Sequence, residues 1–410
     1  MADNTLLTDV HTLVDEVVSE TDIAAGFSKM LPSFTMGDVD GQRYEDVEYL
    51  PEDFRFESED GIESNPDNSD AQALTDRLIP IRRDKSKHIK VGIKTKQLRD
   101  PRLRKMAAAG FARELRNAID KYCYDKAITR ANMVTTASGL IKQSDCSAAD
   151  MLMLDSGLGG YSNNIHLSIP HYKVLADGLA SNDPVRPGLP QTAYEKSIIP
   201  NQIGGFSKAS RADYRITLPA AEADGVTVTG SQSHTVITKD ANDNYVDNRG
   251  MPLVVSDTSD IKAGDKFTLV GVGRLNPEVR EDTGELMTFT VNSVTNGTTL
   301  NVSPAIIVDG PFRNCTAATT GGSAVTFLNA VKNNPTVYWA EDSIKLIPGN
   351  LPVEGGGVDT VEASTEQGLP IRFTYWYDPD AEKLFMKVVV FFDCEVWLPS
   401  QVGVLLDEQG

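Results

Sequence analysis

Hydrophobic positions change period along this chain, and the changes mark out its elements. Over residues 8–20, Val10, Leu13, Val14, Val17 and Val18 recur at helical spacing beside Asp15, Glu16 and Glu20, which predicts a short amphipathic helix. No neighbouring segment offers it a partner, so it reads as an arm. Residues 44–50 and 53–56 read as strand pieces and 58–70 as a loop. Residues 79–93 alternate like a strand and are basic. Asp100 then suits a helix cap and Pro101 a first turn. Beyond them Leu103, Met106, Ala107, Gly110, Phe111, Leu115, Ala118, Ile119 and Tyr122 form one apolar stripe. The helix predicted over 101–130 would be about 45 Å long at ~1.5 Å per residue, long enough to act as a spine.

Residues 147–207 mix helix and strand: a helix over 147–157, a strand over 164–169, a second helix from Pro170 to about 179, and a loop over 182–190. The texture then changes. From 222 to 322 short alternating runs recur at 226–228, 234–237, 253–255, 267–272, 287–294 and 299–302, and Asn296-Gly297 is a strong hairpin turn. Many short strands between turns predict a small antiparallel barrel or sandwich of domain size. Strands follow at 337–339 and 344–347, then a long hairpin of 371–377 with 384–392 around Asp378-Pro379-Asp380. The pattern is an α+β host interrupted by an all-β guest.

Composition narrows the function. A chain of 410 residues suggests two or three folding units, and 40% hydrophobic content is enough to bury a core. The longest aliphatic-aromatic run is 388–392, too short to span a membrane, and Met1-Ala2-Asp3-Asn4 carries no feature of an export signal. Cys123, Cys146, Cys315 and Cys394 form no Cys-x-x-Cys pair, so no zinc site is expected and a reducing cytosol fits them. The net charge of −19 makes a poor general nucleic-acid binder. Its distribution says more. Residues 1–80 hold 20 acidic and 4 basic side chains, a net of −16, while 81–131 hold 16 basic and 5 acidic, a net of +11. Neighbouring blocks of opposite sign suit surfaces that meet another chain; an acidic arm beside a solvated basic helix face is the plainer alternative. The first reading places an inter-subunit basic surface at Arg82, Lys85, Lys87, Lys90, Arg102, Arg113 and Arg116, covered by the acidic loop of the next subunit.

Candidate chemistry is sparse. There is no phosphate loop, because Gly204-Gly205-Phe206-Ser207-Lys208 lacks the spacing, and no G-x-S-x-G elbow. His166 and His171 stand five apart, which suits neither a helical nor a strand metal pair. Asp240-Ala241-Asn242-Asp243-Asn244 opens like a calcium loop but puts Tyr245 where Gly belongs and Met251 where the bidentate Glu belongs. It reads instead as an exposed hairpin tip or a contact loop. No catalytic residue, cofactor or metal site is expected, and the chain is not read as an enzyme.

Several stretches, in order, carry a resemblance. They are Ile165-His166-Leu167-Ser168-Ile169-Pro170-His171-Tyr172-Lys173 with Ile203-Gly204-Gly205-Phe206; Gly225-Val226-Thr227-Val228-Thr229-Gly230; Val246-Asp247-Asn248-Arg249 with Lys262-Ala263-Gly264-Asp265-Lys266; and Val337-Tyr338-Trp339-Ala340-Glu341-Asp342-Ser343-Ile344. From about Ile165 onward the chain resembles the P-22-type coat proteins of tailed bacteriophages, and Leu13-Val14-Asp15-Glu16-Val17 also fits. The resemblance implies the Hong Kong 97 capsid fold, an α+β architecture, with an inserted antiparallel β-barrel. It implies an N-terminal arm (1–35), an extended loop region (36–80), a peripheral domain with the spine helix (81–135), an axial domain (136–221), the inserted domain (222–334), and a return to axial and peripheral domains (335–410). The implied function is a major capsid protein that assembles, with a scaffolding protein, into an icosahedral shell of pentamers and hexamers. Such a shell carries a portal protein and encloses double-stranded DNA without reading its sequence. Assembly would take place in the bacterial host cytoplasm. Asp15 and Glu16 would contact scaffold, and Asp240 and Asp243 would reach a neighbouring capsomer. An encapsulin-like compartment, which would lack the insert, and a β-rich surface-binding module, which would need an export signal, are the alternatives.

Overall fold

The computed structural model describes residues 5–23, 26–34, 47–52, 55, 77–82, 85–94, 100–181, 199, 202–349, 359–378, 380 and 383–409. Its elements are α1 (Thr5–Ile23), β1 (Glu48–Pro51), β2 (Leu78–Ile81), β3 (Lys85–Lys94), α2 (Pro101–Arg130), β4 (Met133–Thr136), α3 (Gln143–Asp155), β5 (Asn163–Leu167), α4 (Ile169–Ser181) and β6 (Lys208–Arg211). They continue as β7 (Met251–Val254), β8 (Lys266–Leu275), β9 (Asp282–Asn296), β10 (Thr299–Ser303), β11 (Val325–Phe327), β12 (Thr336–Ala340), β13 (Ile344–Gly349), β14 (Asp359–Ser364), β15 (Pro370–Asp378), β16 (Lys383–Val396) and β17 (Val402–Leu406). The loops expected over 58–70 and 182–190 lie outside the described residues, as does most of the strand piece at 53–56.

The chain forms two units, the first made of residues 1–48, 81–125 and 345–395. Its sheet runs β13-β16-β15-β14, and β3 pairs antiparallel with β16. Alternation sets the sheet's inner face: Ile371, Phe373, Leu384, Met386 and Val388 are buried, while the side chains between them are not. On the other face Trp376 stacks on Phe385 at 5.7 Å, a cross-strand pair in register. The first helix has a partner that the sequence did not show. The helix is longer than predicted, packs against β14, and buries Leu13, Val14 and Val17. A buried carboxylate secures the segment after it. Asp120 accepts the Ser28 backbone N–H at 2.9 Å and the Ser28 hydroxyl, and Gly26 passes so close that a Cβ would overlap that carboxylate.

The long helix has the bounds expected of it. Asp100 Oδ1 accepts the Arg102 N–H at 2.9 Å, satisfying one of the free donors of the first turn. Its stripe is only partly buried. Of its members Phe111, Leu115 and Ile119 are buried, but Gly110 is exposed, Leu103 is 43% and Met106 72% exposed, and the buried face also takes Ala108, Ala112 and Cys123 from outside the stripe. Coverage by the chain's own elements begins at Ala108, one turn later than the periodicity implied.

The second unit holds residues 49–80, 126–344 and 396–410. One sheet runs β4-β17-β12-β5-β6, with parallel pairs at β17–β4 and β5–β6. Every position of β5, β12 and β17 is buried, the mark of strands covered on both faces. Met133, Cys146, Ala149, Met153, Leu175 and Ala176 share their core. Gly403 on β17 stands opposite Tyr338 on β12, whose ring lies where a Cβ would be, 2.1 Å from its Cζ. Gly403→Ala therefore forces that ring to move and is expected to destabilise the unit by about 1–3 kcal/mol, read by denaturant unfolding; an unchanged midpoint would refute the overlap.

The insert's strands follow the order β11-β8-β9-β10-β7, all antiparallel, around Phe267, Leu269, Phe289, Val291, Leu300 and Val302. Asn296-Gly297 lies at the expected hairpin between β9 and β10. These named strands form a sheet that does not close on itself, so they do not by themselves make up the expected barrel. Residues 226–228 make no ladder, but Val228 N–H donates to Ser323 and Thr229 N–H to Val254, so this segment touches both edges of the sheet. The strand expected at 234–237 is absent among the described elements. At the base of the insert, Leu218 and Asn333 exchange both backbone hydrogen bonds, at 2.9 and 3.0 Å.

Candidate assembly surfaces

A surface that joins subunits needs side chains free of intrachain duty, so each expected contact residue is judged by what already holds it. In the first unit, β3 leaves Lys85, Lys87 and Lys90 exposed along a strand whose described partner is β16. Lys85 reaches over the Tyr122 ring of α2 at 5.9 Å, and Lys90 over Trp376 at 5.1 Å. Lys on an exposed sheet edge discourages indiscriminate strand pairing and leaves charge for a chosen partner. Arg82, Arg102 and Arg113 are exposed; Arg116 is half-buried, with Nη2 at 3.5 Å from Asn117 Oδ1. The exposed Leu103 and Met106 adjoin Arg102 and Lys105, so this end of α2 is apolar as well as basic. The acidic loop expected to cover this surface lies mostly outside the described residues.

Asp15 and Glu16 differ. Glu16 pairs with Arg104 at 3.3 Å, whereas Asp15 is exposed. In the second unit, Asp240 and Asp243 sit on a tight tip closed by the Lys239–Tyr245 bridge. Asp240 Oδ1 accepts the backbone N–H groups of Asn242 and Asn244 at 2.8 and 2.9 Å, which hold its carboxyl below the usual range. It shapes the turn. Asp243 adopts a φ of 64° and pairs with Lys239 at 2.9 Å, and the Lys239 ammonium lies over the Tyr245 ring at 4.9 Å. Asp243 is exposed, while Tyr245 is 43% exposed with its ring against that of Tyr49 at 4.8 Å.

The two histidines turn inward. His166 Nδ1 is 2.6 Å from Ser210 Oγ, and His171 Nδ1 is 2.8 Å from Thr336 Oγ1 with Nε2 at 3.3 Å from Asp407. Burial pushes the His166 imidazole down to about 3 from 6.5. Across that window the unfolded chain binds a proton that the folded chain refuses, so stability falls as pH drops. The contribution is up to about 1.4 kcal/mol per pH unit. Unfolding curves from pH 6.5 to 4 should be steeper for the wild type than for His166→Gln; parallel curves would contradict this.

Comparison with known proteins places these surfaces in context. Among solved structures, the chain is similar to a chain from Mycobacterium phage Che8, at 9% identity and a TM-score of 0.44, covering 88% of this chain and 84% of that one. It is similar to the capsid of Cyanophage P-SCSP1u, at 9% identity and a TM-score of 0.47, covering 93% and 88%. It also aligns with the CUS-3 coat protein I-domain at 34% identity, covering 26% of this chain and 98% of that one, with a TM-score of 0.23. The family model described as "P22 coat protein - gene protein 5" matches residues 1–407. A match over nearly the whole chain settles the lineage: the protein belongs to the P22 coat protein family and is a major capsid shell protein of a bacteriophage.

Proposed function

We propose that the protein tiles an icosahedral shell of pentamers and hexamers around double-stranded DNA, through edge contacts and without catalysis. Assembly proceeds in the host cytoplasm with a scaffolding protein, and the finished shell carries a portal protein. The observation that carries this reading is the exposed basic edge of β3 and α2 in a chain whose net charge is −19. Heterologous contacts of this kind close into rings, and weak contacts suffice because the shell repeats them. The acidic extended loop of one subunit covers Arg82, Lys85, Lys87, Lys90, Arg102, Arg113 and Arg116 of the next. The exposed face of the 239–247 tip, with Asp243, meets a neighbouring capsomer, while Asp240 holds the turn. The divisions at 1–35, 36–80, 81–135, 136–221, 222–334 and 335–410 serve as arm, extended loop, peripheral domain, axial domain, insert and return.

Electron microscopy of the purified chain, mixed with a candidate scaffolding protein, tests the whole: closed particles are expected, and their absence under all buffers would overturn it. The arm gives a sharper test. Basic scaffold side chains would meet Asp15, because Glu16 is already paired. Asp15→Lys should weaken scaffold binding more than Glu16→Gln, with wild-type binding steeply salt-dependent. Equal effects, or binding indifferent to salt, would remove Asp15 from the contact.

A further inference from the structure

In the second unit, a cavity of about 350 Å³ opens among the insert, the 156–161 turn and the 398–401 segment. Five arginines wall it: Arg55, Arg77, Arg249, Arg274 and Arg280. Two carboxylates, Glu52 and Glu278, face the same space, so the wall carries a net positive charge inside a strongly acidic chain. Two of the arginines already have counterions: Arg77 meets Glu52 at 3.1 Å, and Arg249 meets Asp247 at 2.9 Å.

Arg274 does not. It lies on β8, only 4% exposed, with Nη2 donating to Thr288 Oγ1 at 2.8 Å. Thr288 in turn donates to the Asn132 carbonyl at 2.6 Å, which fixes the hydroxyl as acceptor for the guanidinium. Among the described residues, Nε and Nη1 of Arg274 have no hydrogen-bond acceptor. A buried guanidinium with two unbonded nitrogens is costly, since desolvation is repaid only by an opposite charge and matching acceptors. Guanidinium groups present planar forks that fit tetrahedral oxyanions two oxygens at a time. The cavity's size lies at the lower end of small-molecule sites, roughly 300–1,000 Å³.

We propose that this cavity is a binding site for a small oxyanion of the phosphate class, seated against Arg274 and its neighbouring arginines. The anion completes the charge balance of the second unit and ties β8 of the insert to residues on either side of it in sequence. The shared chemistry is the phosphate group, carried by either inorganic phosphate or the monoester of a nucleotide.

The test uses the full chain. Thermal unfolding and titration calorimetry are run with inorganic phosphate, with a nucleoside monophosphate, and with potassium chloride at matched ionic strength. A saturable stabilisation by either phosphate, absent with chloride, is expected. Tighter binding of the nucleotide identifies the ester as the source, and equal or tighter binding of the free ion identifies inorganic phosphate. Arg274→Gln and the less buried Arg280→Gln are compared, each checked for folding by circular dichroism. Either folded variant should bind at least about ten-fold more weakly. Chloride matching phosphate, or undiminished binding by the folded variants, would overturn the assignment.

Discussion

Replacing Lys85, Lys87 and Lys90 together by Glu is expected to leave a folded subunit that no longer closes into shells. The fold tolerates the change because β3 is held to β16 by backbone hydrogen bonds along the register Lys85↔Phe392 to Lys94↔Lys383. The three side chains themselves are exposed. The fold loses, among other contacts, that of Lys85 with Tyr122 and those of Lys90 with Trp376 and Phe385. At exposed sites such contacts are worth about 0.5–1 kcal/mol each. The interface loses more. Each reversal turns an attraction into a repulsion of about 1 kcal/mol at 4 Å in water, and larger where the contact excludes water. The loss is repeated at every copy of the contact, so a modest change per subunit becomes prohibitive for a closed shell. Circular dichroism and thermal unfolding should remain close to wild type while sedimentation and electron microscopy show free subunits. Lys87→Glu alone separates the effects, since Lys87 makes none of these ring contacts. Wild-type particle yield from the triple variant would refute the basic edge as a contact.

Much of the fold was legible because local signals agreed with tertiary ones. The bounds of α2 follow from Asp100 and Pro101 at one end. The β15–β16 hairpin follows from alternation through most of β15 and the first half of β16, which lapses where Val388, Val389 and Val390 are all buried. Where both faces are covered, burial no longer imposes alternation: β5 and β12 remained readable all the same, but β17 did not. Its Val402, Val404, Leu405 and Leu406 are all buried, and β4, only four residues long, also went unread. The insert was legible as all-β, but not the order of its strands, because that depends on which distant edges meet. The same limit applies to the surfaces. Sequence placed Glu16 and Asp15 side by side as equal candidates, and only the packing of α1 pairs one of them with Arg104. The periodic stripe counted Leu103 and Met106 as core, since periodicity shows which face is apolar and not how far along it the chain supplies cover.

Charge also hid a joint of the second unit, and its removal should have the largest effect on stability. In sequence Lys266 stands in a polar run with Lys262 and Asp265, and nothing there marks it as buried. In the fold it is fully buried at the start of β8. Its ammonium donates to the Ala131 carbonyl at 2.7 Å, to Thr290 Oγ1 at 3.0 Å and to the Thr129 carbonyl at 3.3 Å. It therefore caps the end of α2, where carbonyls lack helical partners and the helix dipole favours a cation. Burial lowers its pKa well below the ordinary value, partly opposed by the nearby Asp265 charge. The hydrogen bonds and the dipole nevertheless hold the side chain in place. Lys266→Ala strips the cap, opens a cavity and leaves buried carbonyls with fewer donors, at a cost of about 3–5 kcal/mol. Lys266→Met keeps most of the volume and loses only the polar bonds, so it should cost less, about 1–3 kcal/mol. Denaturant unfolding of the full chain measures both. If Met were as damaging as Ala, the cavity would not matter. If both were neutral, the ammonium would not be holding the insert to the helix end, and the joint would rest on Thr288 and Thr290, whose hydroxyls donate to Asn132 and Ala131 at 2.6 Å.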